Sequence, residues 1–221
     1  MKKLYGIGTG PGHKEHLTLK AVNAIKESEV IFAPNNRGKN MALDTVKDFI
    51  EDKKIVLLDF PMGKVEEKHY DEAAEIIKKE ILEGKSGAFL TIGDPLIYST
   101  FIYLMERLVE KNVEVEIVPG IPSFLASAAL IKRPLTVKGD RFLLCDGELT
   151  EEMLKNCDSI AILKTNNNKK ETLDLLENNG FSWSYVKRTT LDGEKVLSSG
   201  EDVIKDKDYI SLIIGRREEN D

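Results

Sequence analysis

Cysteine is nearly absent: Cys145 and Cys157 are the only two in 221 residues. Two lone thiols build no disulfide framework, which fits a reduced, cytoplasmic setting. No apolar run approaches the roughly 18 residues needed to cross a bilayer. The opening Met1-Lys2-Lys3-Leu4-Tyr5-Gly6 lacks the extended apolar stretch of a secretion signal. Histidine is scarce too, with only His13, His16 and His69. His13, His16 and Glu15 make a thin ligand set with no cysteine beside them, so no protein-bound metal is expected. A surplus of positive charge is also missing. The net charge of −6 excludes a general nucleic-acid binder, because displacing counterions needs a basic face. An anionic ligand would have to be met by a local cluster of Lys and Arg.

What is present is an ordinary globular composition, 41% hydrophobic and 32% charged. The length suffices for one large domain or two smaller ones sharing a cleft. Short apolar runs at 4–7, 30–33, 55–58, 88–92 and 113–118 read as buried strands. Between them, 17–28, 41–50, 70–83 and 100–111 carry apolar residues at helical spacing, and 123–131 adds one more helix. Strand–helix alternation predicts βαβ units and a mainly parallel sheet. Pro134 punctuates the chain after that helix, which sets expected domains at 1–132 and 133–221. Beyond it, strands are expected at 142–145, 160–163, 185–189, 195–198 and 209–214, with helices at 151–156 and 169–179. The fold class is therefore α/β, in two α/β domains.

Three loops follow strands of the first half. Gly6-Ile7-Gly8-Thr9-Gly10-Pro11-Gly12 directly follows the first strand, and glycines there let the chain turn and let a ligand approach backbone N–H groups. A nucleotide-bearing cofactor is the obvious guest. A nicotinamide dinucleotide is not, because Pro11 removes a donor and the second strand ends at Ala33-Pro34 without an acidic residue for a ribose hydroxyl. The alternative is a tight turn that binds nothing. The second loop, Thr91-Ile92-Gly93-Asp94-Pro95-Leu96-Ile97-Tyr98-Ser99-Thr100, brings a carboxylate to the same sheet edge. Its bland reading is that Asp94 or Ser99 caps the next helix. The third is Val118-Pro119-Gly120-Ile121-Pro122-Ser123. Ligands of open α/β sheets bind outside the carboxyl ends of the strands, where all three loops lie.

Taken in order, the Gly-Pro-Gly turn, Gly93-Asp94-Pro95 and Val118-Pro119-Gly120 resemble the tetrapyrrole methyltransferases over nearly the whole chain. Phe60-Pro61-Met62, the run from Gly93 through Tyr98-Ser99-Thr100-Phe101, and Leu163-Lys164 resemble the branch that methylates carbon 20. The resemblance implies two α/β domains with the cofactor cleft between them, a cytoplasmic homodimer, and S-adenosylmethionine as cofactor. It implies a tetrapyrrole of cobalamin biosynthesis as substrate, precorrin-2 or cobalt-factor II; the Lys-, Asn- and Ile-rich composition suits the anaerobic, cobalt-first route and so favours cobalt-factor II over metal-free precorrin-2. Carried over by position, Pro11, Ile92, Gly93, Asp94, Ile97, Pro122, Ser123 and Leu163 are expected to bind the cofactor. Departures are His13-Lys14 where the family usually has Asp-Pro, and Leu163 where it usually has Met.

Such a substrate carries eight carboxylates on a flat ring. Lys164, Tyr98, Ser99, Met62 and Arg133 are the expected substrate contacts, with Arg37, Lys39 and Lys132 as further cations and Phe60 and Phe101 as further apolar floor. A cation in a loop is more often a solvated surface charge, and an aromatic more often core. The sulfonium methyl is already electrophilic, so positioning replaces a catalytic triad, and no catalytic base is assigned. Rival readings are another branch of the family, a non-catalytic nucleotide-binding module, and a nicotinamide-dependent oxidoreductase.

Overall fold

The computed structural model describes residues 1–35, 40–61, 65–165 and 167–217. Met62, Arg37 and Lys39, expected above at the substrate, lie outside them. The chain divides into two compact units, Met1–Pro122 and Ser123–Asp221.

In the first unit, β1 (Lys3–Gly8), β2 (Val30–Pro34), β3 (Lys54–Leu58), β4 (Ser86–Thr91) and β5 (Glu114–Val118) form one sheet in the order β3-β2-β4-β1-β5. Every pairing in it is parallel. The helices are α1 (Leu19–Glu27), α2 (Met41–Val46), α3 (Glu67–Glu80) and α4 (Thr100–Glu110). The steps from β1 to β2 and β2 to β3 run one way across the sheet, and the steps from β3 to β4 and β4 to β5 run back. Right-handed crossovers then demand that the two helix pairs cover opposite faces. They do: Ile25 and Val46 of α1 and α2 pack with Ile7 and Leu90 on one face. Ile77 and Leu104 of α3 and α4 pack with Phe32 and Phe89 on the other. β4 and β1 are neighbours whose following chains leave to opposite faces, and a crevice opens between such strands at their carboxyl ends.

Local chemistry sets the helix starts. Thr18 caps α1 by accepting from Ala21 N, and Asn40 caps α2 by accepting from Leu43 N. The residues before α1 make a short 3-10 turn, Lys14–His16, so this helix begins two residues later than its apolar pattern suggests. α3 begins earlier than expected, because Glu66 and His69 form a reciprocal capping box. His69 is thereby a structural residue.

The second unit holds α5 (Ser123–Leu130), β6 (Phe142–Asp146), α6 (Glu151–Lys155), β7 (Ser159–Leu163), α7 (Lys169–Asn178), β8 (Phe181–Lys187), β9 (Lys195–Leu197), α8 (Gly200–Lys205) and β10 (Ser211–Arg217). Its sheet runs β6-β7-β10-β8-β9, with β6 and β7 parallel and the other pairs antiparallel. α5 groups here, in contact with β10, ahead of the Pro134 punctuation. The core contains Ile160, Leu176, Tyr185 and Ile213 together with both cysteines. Lys169 is buried at 6% exposure; its Nζ donates to Asp206 O at 2.5 Å and Tyr185 OH at 3.3 Å. These bonds fix the start of α7 against β8 and the turn after α8.

Both thiols are 5% exposed. Burial pushes the Cys145 thiol up to about 11 and raises that of Cys157. A buried thiol far from its thiolate form does not react. Ellman's reagent is therefore expected to titrate no cysteine in the native protein and both after denaturation; rapid labelling of the native chain would contradict the packing.

Among the described residues, no group of three or more His, Cys, Asp or Glu is arranged to hold a metal ion. No described helix is long and apolar enough to cross a membrane.

Candidate functional site

The three loops at the carboxyl edge of the first sheet are locked together through their backbones. Thr9 N donates to Thr91 O at 2.8 Å, and its hydroxyl donates to the same carbonyl at 3.2 Å. Gly10 and Gly93 then form an antiparallel bridge, Gly93 N to Gly10 O at 2.7 Å and Gly10 N to Gly93 O at 3.2 Å. This bridge spans the crevice between β1 and β4. The third loop closes on the other two. A Cβ on Gly120 would lie 2.2 Å from Gly93 O and 2.7 Å from Gly8 C; one on Gly8 would lie 2.5 Å from Gly120 N. Only glycine permits this approach. The turn beyond is held from α2, where the Thr45 hydroxyl shares its proton between Gly12 O at 2.9 Å and Met41 O at 2.7 Å.

Asp94 ties the second loop to the third. Gly120 N donates to its Oδ2 at 3.0 Å and Leu96 N to its Oδ1 at 2.8 Å. Both carboxylate oxygens are thus engaged before any ligand is considered. Charge-assisted bonds of this kind are roughly twice as strong as neutral ones. Residues on either side of it carry apolar side chains into solvent: Ile92, Leu96 and Tyr98 are 38, 50 and 47% exposed, and Tyr98 adopts φ 46. Ile97 is half-buried and Pro11 is buried. Pro122 closes the first unit, and Ser123 begins α5.

Several expected site residues have local structural duties. Ser99 is buried, and its hydroxyl oxygen accepts from Phe101 N at 3.0 Å to cap α4. Phe101 is fully buried under Gly6 and against Phe89, at a ring separation of 5.4 Å. It is core, which corrects its reading as floor for a ligand ring. Phe60 packs on Tyr70 of α3 at 5.8 Å.

In the second unit, Leu163 and Lys164 lie at the carboxyl end of β7. Leu163 is half-buried, and Lys164 is exposed at φ 53. Lys164 Nζ pairs with Asp146 Oδ2 at 2.7 Å. Arg133 bonds Ser182 on β8 and, with Lys132, borders an apolar groove of about 440 Å³ along the end of α5. Leu96, given no role above, stands 50% exposed in the loop that also carries Gly93, Asp94 and Pro95.

The family model for tetrapyrrole (corrin/porphyrin) methylases matches residues 3–203. The chain is 42% identical to a probable cobalt-precorrin-2 C(20)-methyltransferase of Methanocaldococcus jannaschii, over 98% of this chain and 97% of that one. It is 33% identical to the cobalt-precorrin-2 C(20)-methyltransferase of Salmonella typhimurium, over 73% of this chain and 72% of that one. Among solved structures, it shares its fold with a uroporphyrin-III C-methyltransferase from Thermus thermophilus complexed with S-adenosylhomocysteine. That likeness has a TM-score of 0.72 at 21% identity and covers 97% of each chain.

Proposed function

The chain belongs to the tetrapyrrole (corrin/porphyrin) methylase family, and from that premise we propose that it methylates carbon 20 of cobalt-factor II in cobalamin biosynthesis. It is a methyltransferase that uses S-adenosylmethionine. The observation that carries the choice of carbon and of metal is the full-length 42% identity to a relative named as a probable cobalt-precorrin-2 C(20)-methyltransferase. The 33% relative bears the same one.

S-adenosylmethionine brings its own leaving group, a sulfonium whose methyl is displaced in line by a nucleophilic carbon as S-adenosylhomocysteine departs. The carbon-20 proton is lost in the same overall reaction. The chain has to bind, orient and exclude water. The residues at the sheet edge suit that task. Ile92, Leu96 and Tyr98 offer apolar surface to a nucleoside and a flat ring, and the interlocked glycine backbones hold them in place. We assign Pro11, Ile92, Gly93, Asp94, Ile97, Pro122, Ser123 and Leu163 to the cofactor. Asp94 acts through the geometry of its loop, which its two backbone bonds fix. Tyr98 and the cations Lys164 and Arg133 go to the tetrapyrrole.

Lys164 gives a clean test. Its bond to Asp146 is a surface ion pair, worth about 0–1 kcal/mol to stability. Lys164→Ala is expected to raise KM for the tetrapyrrole about tenfold, with S-adenosylhomocysteine affinity and melting temperature retained. An unchanged KM would remove Lys164 from the substrate site.

The metal is tested by comparing kcat/KM for cobalt-factor II with that for metal-free precorrin-2. The cobalt form is expected to be preferred; preference for the metal-free ring would move the enzyme to the other substrate. A cytoplasmic homodimer completes the proposal. On the edge strand β3, Ile55 and Leu57 stand 45 and 49% exposed, apolar surface suited to a second copy. Light scattering is expected to give twice the 24.8 kDa of one chain.

A further inference from the structure

Among the described residues, two buried side-chain polar atoms lack a hydrogen-bonding partner, His16 Nδ1 and Thr91 Oγ1. Both flank the Gly10–Gly93 bridge. His16 Cβ lies 3.2 Å from where a Gly10 Cβ would stand, and Thr91 ends β4 two residues before Gly93. A buried hydroxyl left unpaired forfeits its bonds to water without replacement, and folded proteins keep few of them.

Other buried hydroxyls among the described residues are paired. Ser127 bonds Thr189 at 2.6 Å, Thr165 bonds Ser211 at 3.3 Å, Ser28 donates to Ala24 O at 2.8 Å and Thr45 to Met41 O at 2.7 Å. Thr91 is an exception in a specific place. Its carbonyl already accepts both bonds from Thr9, so the hydroxyl is not needed to lock the loops. Side chains alternate along a strand. Ala88 and Leu90 face α1 and α2, whereas Phe89 faces α3 and α4. Thr91 therefore shares the face of Phe89, at the strand's carboxyl end, directly before the half-exposed Ile92.

We propose that the Thr91 hydroxyl is a cofactor-binding group, held unpaired by the fold so that it can hydrogen-bond a polar group of S-adenosylmethionine. The inference rests on the assignment of residues 92–97 to the cofactor. It adds a side-chain contact to a loop otherwise assigned by position. The binding energy comes from completing a bond that the ligand-free fold leaves unmade. Removing the hydroxyl should then weaken binding without lowering ligand-free stability, which a structural threonine would not show.

The experiment compares wild type, Thr91→Val and Thr91→Ser by calorimetric titration with S-adenosylhomocysteine and by melting without ligand. Valine keeps the shape and drops the hydroxyl. It is expected to weaken binding about tenfold, while the ligand-free melting temperature stays level or rises because no bond is lost. Serine is expected to bind within about threefold of wild type. Wild-type affinity in Thr91→Val, with wild type itself binding well, would overturn the role of Thr91 and leave the cofactor reading intact. A lowered melting temperature in Thr91→Val would overturn it by revealing a structural partner. Failure of wild type to bind S-adenosylhomocysteine would overturn the cofactor reading and this inference together.

Discussion

Gly120→Ala is expected to abolish detectable cofactor binding and to lower kcat/KM at least about 100-fold. The added Cβ would stand 2.2 Å from Gly93 O and 2.7 Å from Gly8 C. Neither neighbour is a flexible side-chain end that can swing away. Both are backbone, and both are held by hydrogen bonds to β1 or β4 or by the Gly10–Gly93 bridge. Relief requires the third loop to move off the first two, which breaks the bond from Gly120 N to Asp94. Overpacking of this sort costs about 1–3 kcal/mol or more, and in a chain of this size each kcal/mol lowers the melting temperature by about 2–4 °C. Gly200→Ala is the control, because a Cβ there meets nothing nearer than Leu173 Cδ1 at 3.9 Å. It is expected to bind and melt as wild type does. If Gly120→Ala also binds S-adenosylhomocysteine normally, the three loops are not locked as described.

Asp94→Ala carries the second large effect. It strips the acceptors from Gly120 N and Leu96 N at once. Hydrogen bonds to charged groups are worth about 1.5–3 kcal/mol. Asp94 is half-buried, so water compensates in part, and a total loss of about 2–3 kcal/mol is expected. That is less than the roughly 5–15 kcal/mol that holds a domain folded, so the chain stays folded. Cofactor affinity is expected to fall about 10- to 100-fold, because the loop bearing Ile92 and Ile97 loses its tie to the third loop. Asp94→Asn should lie between, since its amide presents a donor where one of the two backbone donors needs an acceptor. Calorimetry and thermal denaturation check both readouts. Unchanged affinity in Asp94→Ala would show that the site does not depend on this loop.

The first sheet was legible because its signals are local. Continuous apolar runs bounded by Gly, Pro and Asp located β1 to β5 within two residues at either end. The second unit was harder. α8 has a single buried residue, Val203, too little to set up a helical period, and it was missed. β8 begins at Phe181, directly after Gly180; its first residues alternate apolar with Ser, a strand period that the expected start at 185 left out. Lys169 looks like a surface charge in the sequence, and only the fold shows it enclosed by Tyr185 and Asp206.

The loops were legible as turns, and the family pattern as a series of three. What each residue does there was not. The Asp94 to Gly120 bond joins positions 26 apart, and the need for glycine at 8 and 120 arises only when two strands bring their ends together. A sequence reading that makes these glycines a cradle for a ligand therefore misses their first duty, which is to fit against each other. Thr91 carried no signal of its own, because an unpaired hydroxyl exists only relative to the atoms around it.

Methyl transfer itself is the most direct test of the proposed activity. The purified protein is to be incubated with S-adenosylmethionine carrying a carbon-13 methyl group and with cobalt-factor II, and the product read by mass and by carbon-13 resonance after removal of the metal. One labelled methyl at carbon 20 is the result expected here. No transfer, or a label on a different carbon, contradicts it.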